Sequence, residues 1–176
     1  MAAPQRTLSV LERNWNMVDN AIKDLEDSNL GTIPAEGCNS VAWLMWHMYR
    51  VLDTFINTRF QSKPQVWIDG GWHSKFGMTD DPENRGVGWT AEQVSEWNVP
   101  SKDDLVAYSE AVRACAGEYL ASLGDADLDV VKVIPPVAEP RSVGDAMEVM
   151  IFDNIAHGGQ IAYLRGYFQG RGWMSA

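Results

Sequence analysis

Three stretches of this chain carry apolar residues at alternating intervals of three and four, the period of a helix that buries one face, and a fourth is apolar through most of its length. In the first, about Thr7 to Asp27, the stripe is Leu8, Leu11, Trp15, Val18, Ile22 and Leu25; Gly31 and Pro34 close it. The second starts at Asn39 or Ser40, either a good N-cap, and runs to about Gln61. Its stripe is Val41, Leu44, Met48, Val51, Leu52 and Phe55. The third begins at Ser101, with Asp104 three residues on as a capping-box-like pair, and Gly124 ends it. Leu105, Tyr108, Val112, Cys115 and Tyr119 form its stripe. The fourth, about Ser142 to Phe168, is rich in Met, Ile, Val and Leu. The pattern predicts an all-α fold: an up-down-up-down four-helix bundle with a long loop between helices two and three.

That loop, Ser62 to Pro100, holds Trp67, Trp72, Trp89 and Trp97. A connection of this length is usually functional or carries small elements of its own. Thr90 to Trp97 reads as one short helix, and Asp129 to Pro136 as a short extended piece followed by Pro140. The 176 residues predict a single domain, 1–176, that folds without disulfide staples. Cys38 and Cys115 form no CxxC pair and read as reduced, which points to the cytoplasm. A net charge of −10 argues against nucleic acid and against an anionic membrane surface as partners. The longest apolar run, Val41 to Trp46, is far short of the roughly 20 residues of a membrane span. Met1 to Val10 has no apolar core of signal-peptide length.

Three histidines are present: His47, His73 and His157. His47 lies inside the apolar second helix. His157 lies inside the fourth, with Asp153 four residues before it on the same face. A carboxylate and an imidazole within an apolar helix need partners, because an unpaired buried charge is costly. Two arrangements satisfy them. Asp153, His157 and His47 form a self-satisfied polar cluster, or the three hold one divalent metal across the two helices and leave a coordination position open. His73, in the loop, reads as a surface residue or as a fourth ligand. Gly158 and Gly159 in mid-helix point to close approach by a neighbour. Gln160 either donates to a ligand carboxylate or braces helix two. Arg165 reads as a partner for an acidic residue near the bundle end, and Arg50 and Arg59 as solvated or as binders of an anionic substrate. No residue outside the three ligands is marked as a general base.

The run Gly37-Cys-Asn-Ser-Val-Ala-Trp-Leu-Met-Trp-His47 resembles the Asn-Ser-x-x-Trp-x-x-x-His stretch of the DinB/YfiT-like superfamily. His157-Gly-Gly-Gln-Ile-Ala-Tyr-Leu-Arg-Gly166 is similar to that family's His-x-Gly-Gln-Ile-x-x-x-Arg-Gly ending. The resemblance spans nearly the whole chain. It implies a four-helix bundle, often dimeric, with a metal held by one histidine of helix two and an i,i+4 histidine pair of the last helix. Here His47, Asp153 and His157 take those positions, with Asp153 in place of a histidine. The related mycothiol-dependent maleylpyruvate isomerases carry an acidic residue there and bind zinc. The resemblance thus implies a divalent transition metal, zinc or nickel foremost. It also implies a metal-dependent enzyme acting on a small-molecule substrate. That enzyme would be a thiol S-transferase or isomerase using mycothiol, bacillithiol or glutathione, with metal-assisted hydrolysis as the next choice. The alternative is a non-catalytic metal- or small-molecule-binding stress-response module. A homodimer would bury seams on the first or third helix.

Overall fold

Serine side chains set the starts of three long helices. The backbone N–H of Trp43 donates to Ser40 Oγ (3.2 Å), that of Asp104 to Ser101 Oγ (3.1 Å) and that of Asp145 to Ser142 Oγ (3.0 Å). The computed structural model describes residues 2–174. Its helices are α1 (Ala3–Lys23), α2 (Asp27–Leu30), α3 (Val41–Asp53), α4 (Val66–Asp69), α5 (Trp72–Lys75), α6 (Ala91–Glu96), α7 (Lys102–Ser122), α8 (Asp125–Leu128) and α9 (Val143–Gln169). Helix α3 continues as a wider π-helical stretch, Thr54–Phe60. Helix α1 starts earlier than predicted because Pro4 fits its first turn, and it ends at Lys23, leaving α2 as a separate turn. The predicted extended piece is β1 (Val131–Val133), paired antiparallel with β2 (Pro140–Ser142) so that Lys132 faces Arg141. The long connection between α3 and α7 carries three short helices, α4, α5 and α6; only the last, capped by Thr90, lies within the predicted Thr90 to Trp97 helix.

The fold is all-α apart from this ribbon, as the apolar periods predict, but the helix directions do not alternate. Helix α1 runs antiparallel to α7: Gln5 donates to the Leu123 carbonyl at one end (3.0 Å), and Lys102 meets Asp27 at the other (2.9 Å). Helices α3 and α7 run parallel: Arg113 donates to Tyr49 Oη (2.8 Å), and further along both helices Phe60 stacks on Tyr119. Helix α9 opposes α3, with His47 beside Asp153 and Leu44 sharing a cavity wall with Leu164. The order is therefore up-down-down-up. The 62–100 segment climbs back along the bundle instead of making the short return that alternation requires.

Every residue of α3 from Val41 to Asp53 is buried, because α7 and α9 flank it and the 62–100 segment covers it. Trp67, Trp89 and Trp97 from that segment all pack on the Trp46 ring, with centroids 5.1–6.3 Å apart. The exposed apolar seam lies on α9 rather than on α1 or α7: Phe152, Ile155, Tyr163 and Tyr167 face outward. Among the described residues no helix is long and apolar enough to cross a membrane.

Candidate metal centre

Helix α3 brings His47 and helix α9 brings Asp153 and His157 to one point, where three ligand atoms lie within 4.8 Å of one another. His47 Nε2 is 3.6 Å and His157 Nε2 3.5 Å from Asp153 Oδ2. The two imidazole planes are nearly perpendicular, 89° apart. These separations are long for hydrogen bonds. They match the roughly 3.4 Å edge between neighbouring N and O ligands of a tetrahedral ion with bonds of about 2.0–2.2 Å. Asp153 Oδ1 is buried and has no hydrogen-bond partner. The short aspartate does reach both histidines, so it can stand where the family pattern has an imidazole.

Each imidazole is turned by a partner on its far nitrogen. His47 Nδ1–H donates to the carbonyl oxygen of Arg85, which can only accept. His157 Nδ1–H donates to Gln160 Oε1 (2.7 Å). Both rings therefore present Nε2 to Asp153, the arrangement in which an outer acceptor fixes the tautomer of a ligating histidine. Trp43 adds a second constraint, stacking on His47 at 4.8 Å with 7° between the planes. Gln160 thus braces His157 and not helix two.

Burial works to raise the Asp153 carboxyl, but the imidazoles of His157 and His47 outweigh it and hold the group at about 2. Burial pulls His157 down, and Asp153 and Gln160 more than offset this, so its imidazole is held above the ordinary value. The site is a preformed acidic pocket with two nitrogen donors, suited chemically to a borderline divalent cation.

The remaining sequence candidates fall elsewhere. His73 is not part of the cluster; its Nδ1 donates to the Trp67 carbonyl (3.2 Å). Gly158 does mark a close approach, since a Cβ there would stand 2.1 Å from Asn14 Oδ1, whereas Gly159 faces open space. Arg59 lies over the Phe55 ring. Arg50, read from sequence as a solvated cation or an anion binder, is instead fully buried beside fully buried Asp53. Neither Arg50 nor Asp53 stood out as a site residue in the sequence; the available signal was a charged pair three residues apart inside an apolar run.

Beside the cluster is a cavity of about 650 Å³ between the loop before α3 and the outer face of α9. Pro34, Cys38, Leu44, Gln160, Tyr163 and Tyr167 line it, and no charged side chain does. Gln160 belongs both to this wall and to the His157 imidazole.

A family model described as the DinB superfamily matches residues 10–161. Among solved structures, the chain is similar to a crystal structure described as the conserved protein of a locus from Enterococcus faecalis. The two share 26% identity at a TM-score of 0.84, over 97% of this chain and 99% of that one. The comparison with curated proteins returns no match.

Proposed function

The chain belongs to the DinB superfamily, and on that premise we propose that it is a divalent-metal-dependent enzyme whose metal is held by His47, Asp153 and His157. One observation carries this reading. Two imidazoles, each committed through Nδ1 to another acceptor, converge with Nε2 on one carboxylate at ligand rather than hydrogen-bond spacing. Three protein ligands leave a position open. A divalent ion bound there would lower the pKa of a coordinated water or thiol and favour its nucleophilic form at neutral pH.

The chain's own residues supply the rest. Gln160 joins the centre to the cavity, so a small molecule held there would lie against the residue that orients His157. The chemistry we propose is thiol S-transfer or isomerisation with a low-molecular-weight thiol, in the manner of the mycothiol-dependent isomerases related to the family that the sequence resembles. The wall without charged side chains favours an uncharged electrophile as the second substrate. We further propose one domain over 1–176, a cytoplasmic location, and a homodimer that buries the exposed α9 seam.

Elemental analysis tests the reading, on protein purified without chelator or His tag. Wild type should carry near-stoichiometric zinc or another transition metal, and His47→Ala and His157→Ala should lose it while keeping their helical circular dichroism. Unchanged metal content in His157→Ala would refute the ligand set. Thiol and electrophile screens then separate the enzyme from a binding module: turnover that disappears with EDTA supports the first. The same cavity observation favours the second reading if no turnover is found, because among the described residues no carboxylate, imidazole or amine lines the wall.

A further inference from the structure

Arg50 is 0% exposed, and its guanidinium donates repeatedly to the segment that covers α3. Nε donates to the Asn84 carbonyl (3.2 Å), and Nη2 to the carbonyls of Pro82 (3.1 Å) and Asp81 (3.5 Å). Nη1 donates to Gln65 Oε1 (2.6 Å), whose Nε2 in turn donates to the Pro82 carbonyl (3.1 Å). The guanidinium also lies over the Trp67 ring, 4.6 Å from its centroid, and Asp53 Oδ2 balances its charge at 3.7 Å. A planar fork with five donors is needed to hold three carbonyls and an amide at once.

The carbonyl next in line after Asn84 is that of Arg85, the acceptor for His47 Nδ1–H. Arg50 is one helical turn from His47, so a single face of α3 grips residues 81–84 and receives residue 85 in return. The other side of the same turn is also fixed. Gly86, at φ +80°, is packed so closely that a Cβ would stand 2.7 Å from both Trp43 and Trp46. Trp43 is the ring stacked on His47.

We infer that Arg50 is a positioning residue for the metal centre: by clamping the 81–84 carbonyls it places the Arg85 carbonyl, which sets His47 in the Nδ1–H tautomer with Nε2 free toward Asp153. The inference rests on the proposed metal reading for its role, but the tautomer itself is a property of the metal-free protein.

The test uses the full chain in three variants. Arg50→Lys keeps the charge and loses the fork. Gly86→Ala pushes the 85–86 peptide off the Trp43 and Trp46 rings and leaves Arg50 intact. Arg113→Lys is the control: it breaks an equally well-made pair, Arg113 with Asp19 (2.7 Å), that does not lead to His47. Zinc affinity is read by competition with a chromophoric chelator, the ligand field by the visible spectrum of the Co²⁺ form, and the His47 tautomer by ¹⁵N NMR of the chelated protein. Arg50→Lys and Gly86→Ala should bind zinc about 10- to 100-fold more weakly, the usual effect of losing the partner that orients a ligating histidine. Both should shift the Co²⁺ bands and move His47 toward the Nε2–H tautomer. Arg113→Lys should lower the melting temperature with zinc affinity and tautomer unchanged. If Arg50→Lys does not fold, Gly86→Ala carries the test. Zinc affinity within about threefold of wild type in the folded variants, or an unchanged tautomer, would overturn the inference. A wild type that binds no zinc would instead refute the metal reading and leave the tautomer measurement to decide the clamp.

Discussion

Gly158 and Gly159 are neighbours in the same turn of α9, yet replacing each with alanine should move stability in opposite directions. Gly158 sits against α1. A Cβ there would stand 2.1 Å from Asn14 Oδ1 and 2.7 Å from both Cγ and Nδ2. Asn14 is buried and cannot simply swing aside, because its Nδ2 donates to the Asn154 carbonyl (2.9 Å) and to Asn154 Oδ1 (3.0 Å). Displacing it strands a buried amide, which costs about 1–3 kcal/mol. The gain in helix propensity on replacing glycine returns about 1 kcal/mol. The balance for Gly158→Ala is a loss of up to about 2 kcal/mol. In a chain of this size that lowers the melting temperature by up to roughly 5 °C. Gly159 has nothing within 4 Å of where its Cβ would go. Gly159→Ala should therefore keep the propensity gain of about 1 kcal/mol and melt roughly 3 °C higher. Thermal melts followed by circular dichroism at 222 nm, on chelator-treated protein, read both. A Gly158→Ala variant at or above wild type, or two variants moving together, would refute the packing of α9 on α1 at Asn14.

His157 is held above its ordinary value in the folded chain, so the stability it contributes is complete below about pH 6.5 and lost as pH rises through the raised value. Chelated wild type should therefore lose melting temperature as pH rises above about 6.5, and His157→Gln should lose less; equal slopes would count against the Asp153–His157 pair. Zinc competes with that proton, so its stabilising increment should grow over the same interval, and a constant increment would exclude His157 as a ligand. Asp53 accepts from the backbone N–H groups of Val66 and Trp67 (2.9 Å each), from Tyr108 Oη (3.0 Å) and from Asn57 Nδ2 (2.8 Å). Asp53→Asn strands the buried Arg50 charge and should cost about 3–5 kcal/mol in denaturant titrations; a loss under about 1 kcal/mol would contradict the buried pair. Zinc at 100 times its dissociation constant adds about 2.7 kcal/mol to the state with His47 in place. Amide exchange at Gly86 and Trp89 should then slow by up to about 100-fold, and unchanged rates would separate the centre from the covering segment.

The three apolar stripes were legible because period alone reports a buried helix face, and the capping serines marked three of the four starts. What period does not report is direction. A 40-residue connection can return along a bundle or fold back beside its start, and both leave the stripes of α3 and α7 unchanged. The three candidate ligands were legible for a chemical reason: ionisable groups at one-turn spacing inside apolar helices need partners. Arg50 and Asp53 meet the same criterion, but a cation and a carboxylate three residues apart also describe an ordinary solvated helix pair. Only their complete burial separates the two cases. The Arg85 carbonyl had no signal at all. A backbone oxygen is present at every residue, so its role depends on where the loop is laid down and not on which side chain it carries. The seam on α9 was hidden by similar logic. Phe152, Ile155, Tyr163 and Tyr167 continue the apolar character of the buried face, and sequence gives no clue that they point outward.

The two imidazoles of the centre are positioned by unlike means, and the difference has a consequence. His157 takes its tautomer from Gln160, three residues on in the same helix, so that half of the site exists wherever α9 is helical. His47 takes its tautomer from a carbonyl 38 residues away, held by Arg50, Gln65 and the tryptophan rings of the covering segment. That half exists only when residues 81–86 are docked on α3. Asp153 stands between them, and its carboxylate faces both. On the proposed reading, undocking the segment would leave His47 on α3 without the acceptor that sets its tautomer, and docking would restore the binding tautomer. If the centre holds a metal as proposed, metal affinity and loop docking would be thermodynamically linked. Trp67, Trp89 and Trp97, in a segment otherwise rich in turns, pack on the Trp46 ring of α3 and add apolar area where a loop has little, which favours the docked state that supplies the Arg85 carbonyl to His47.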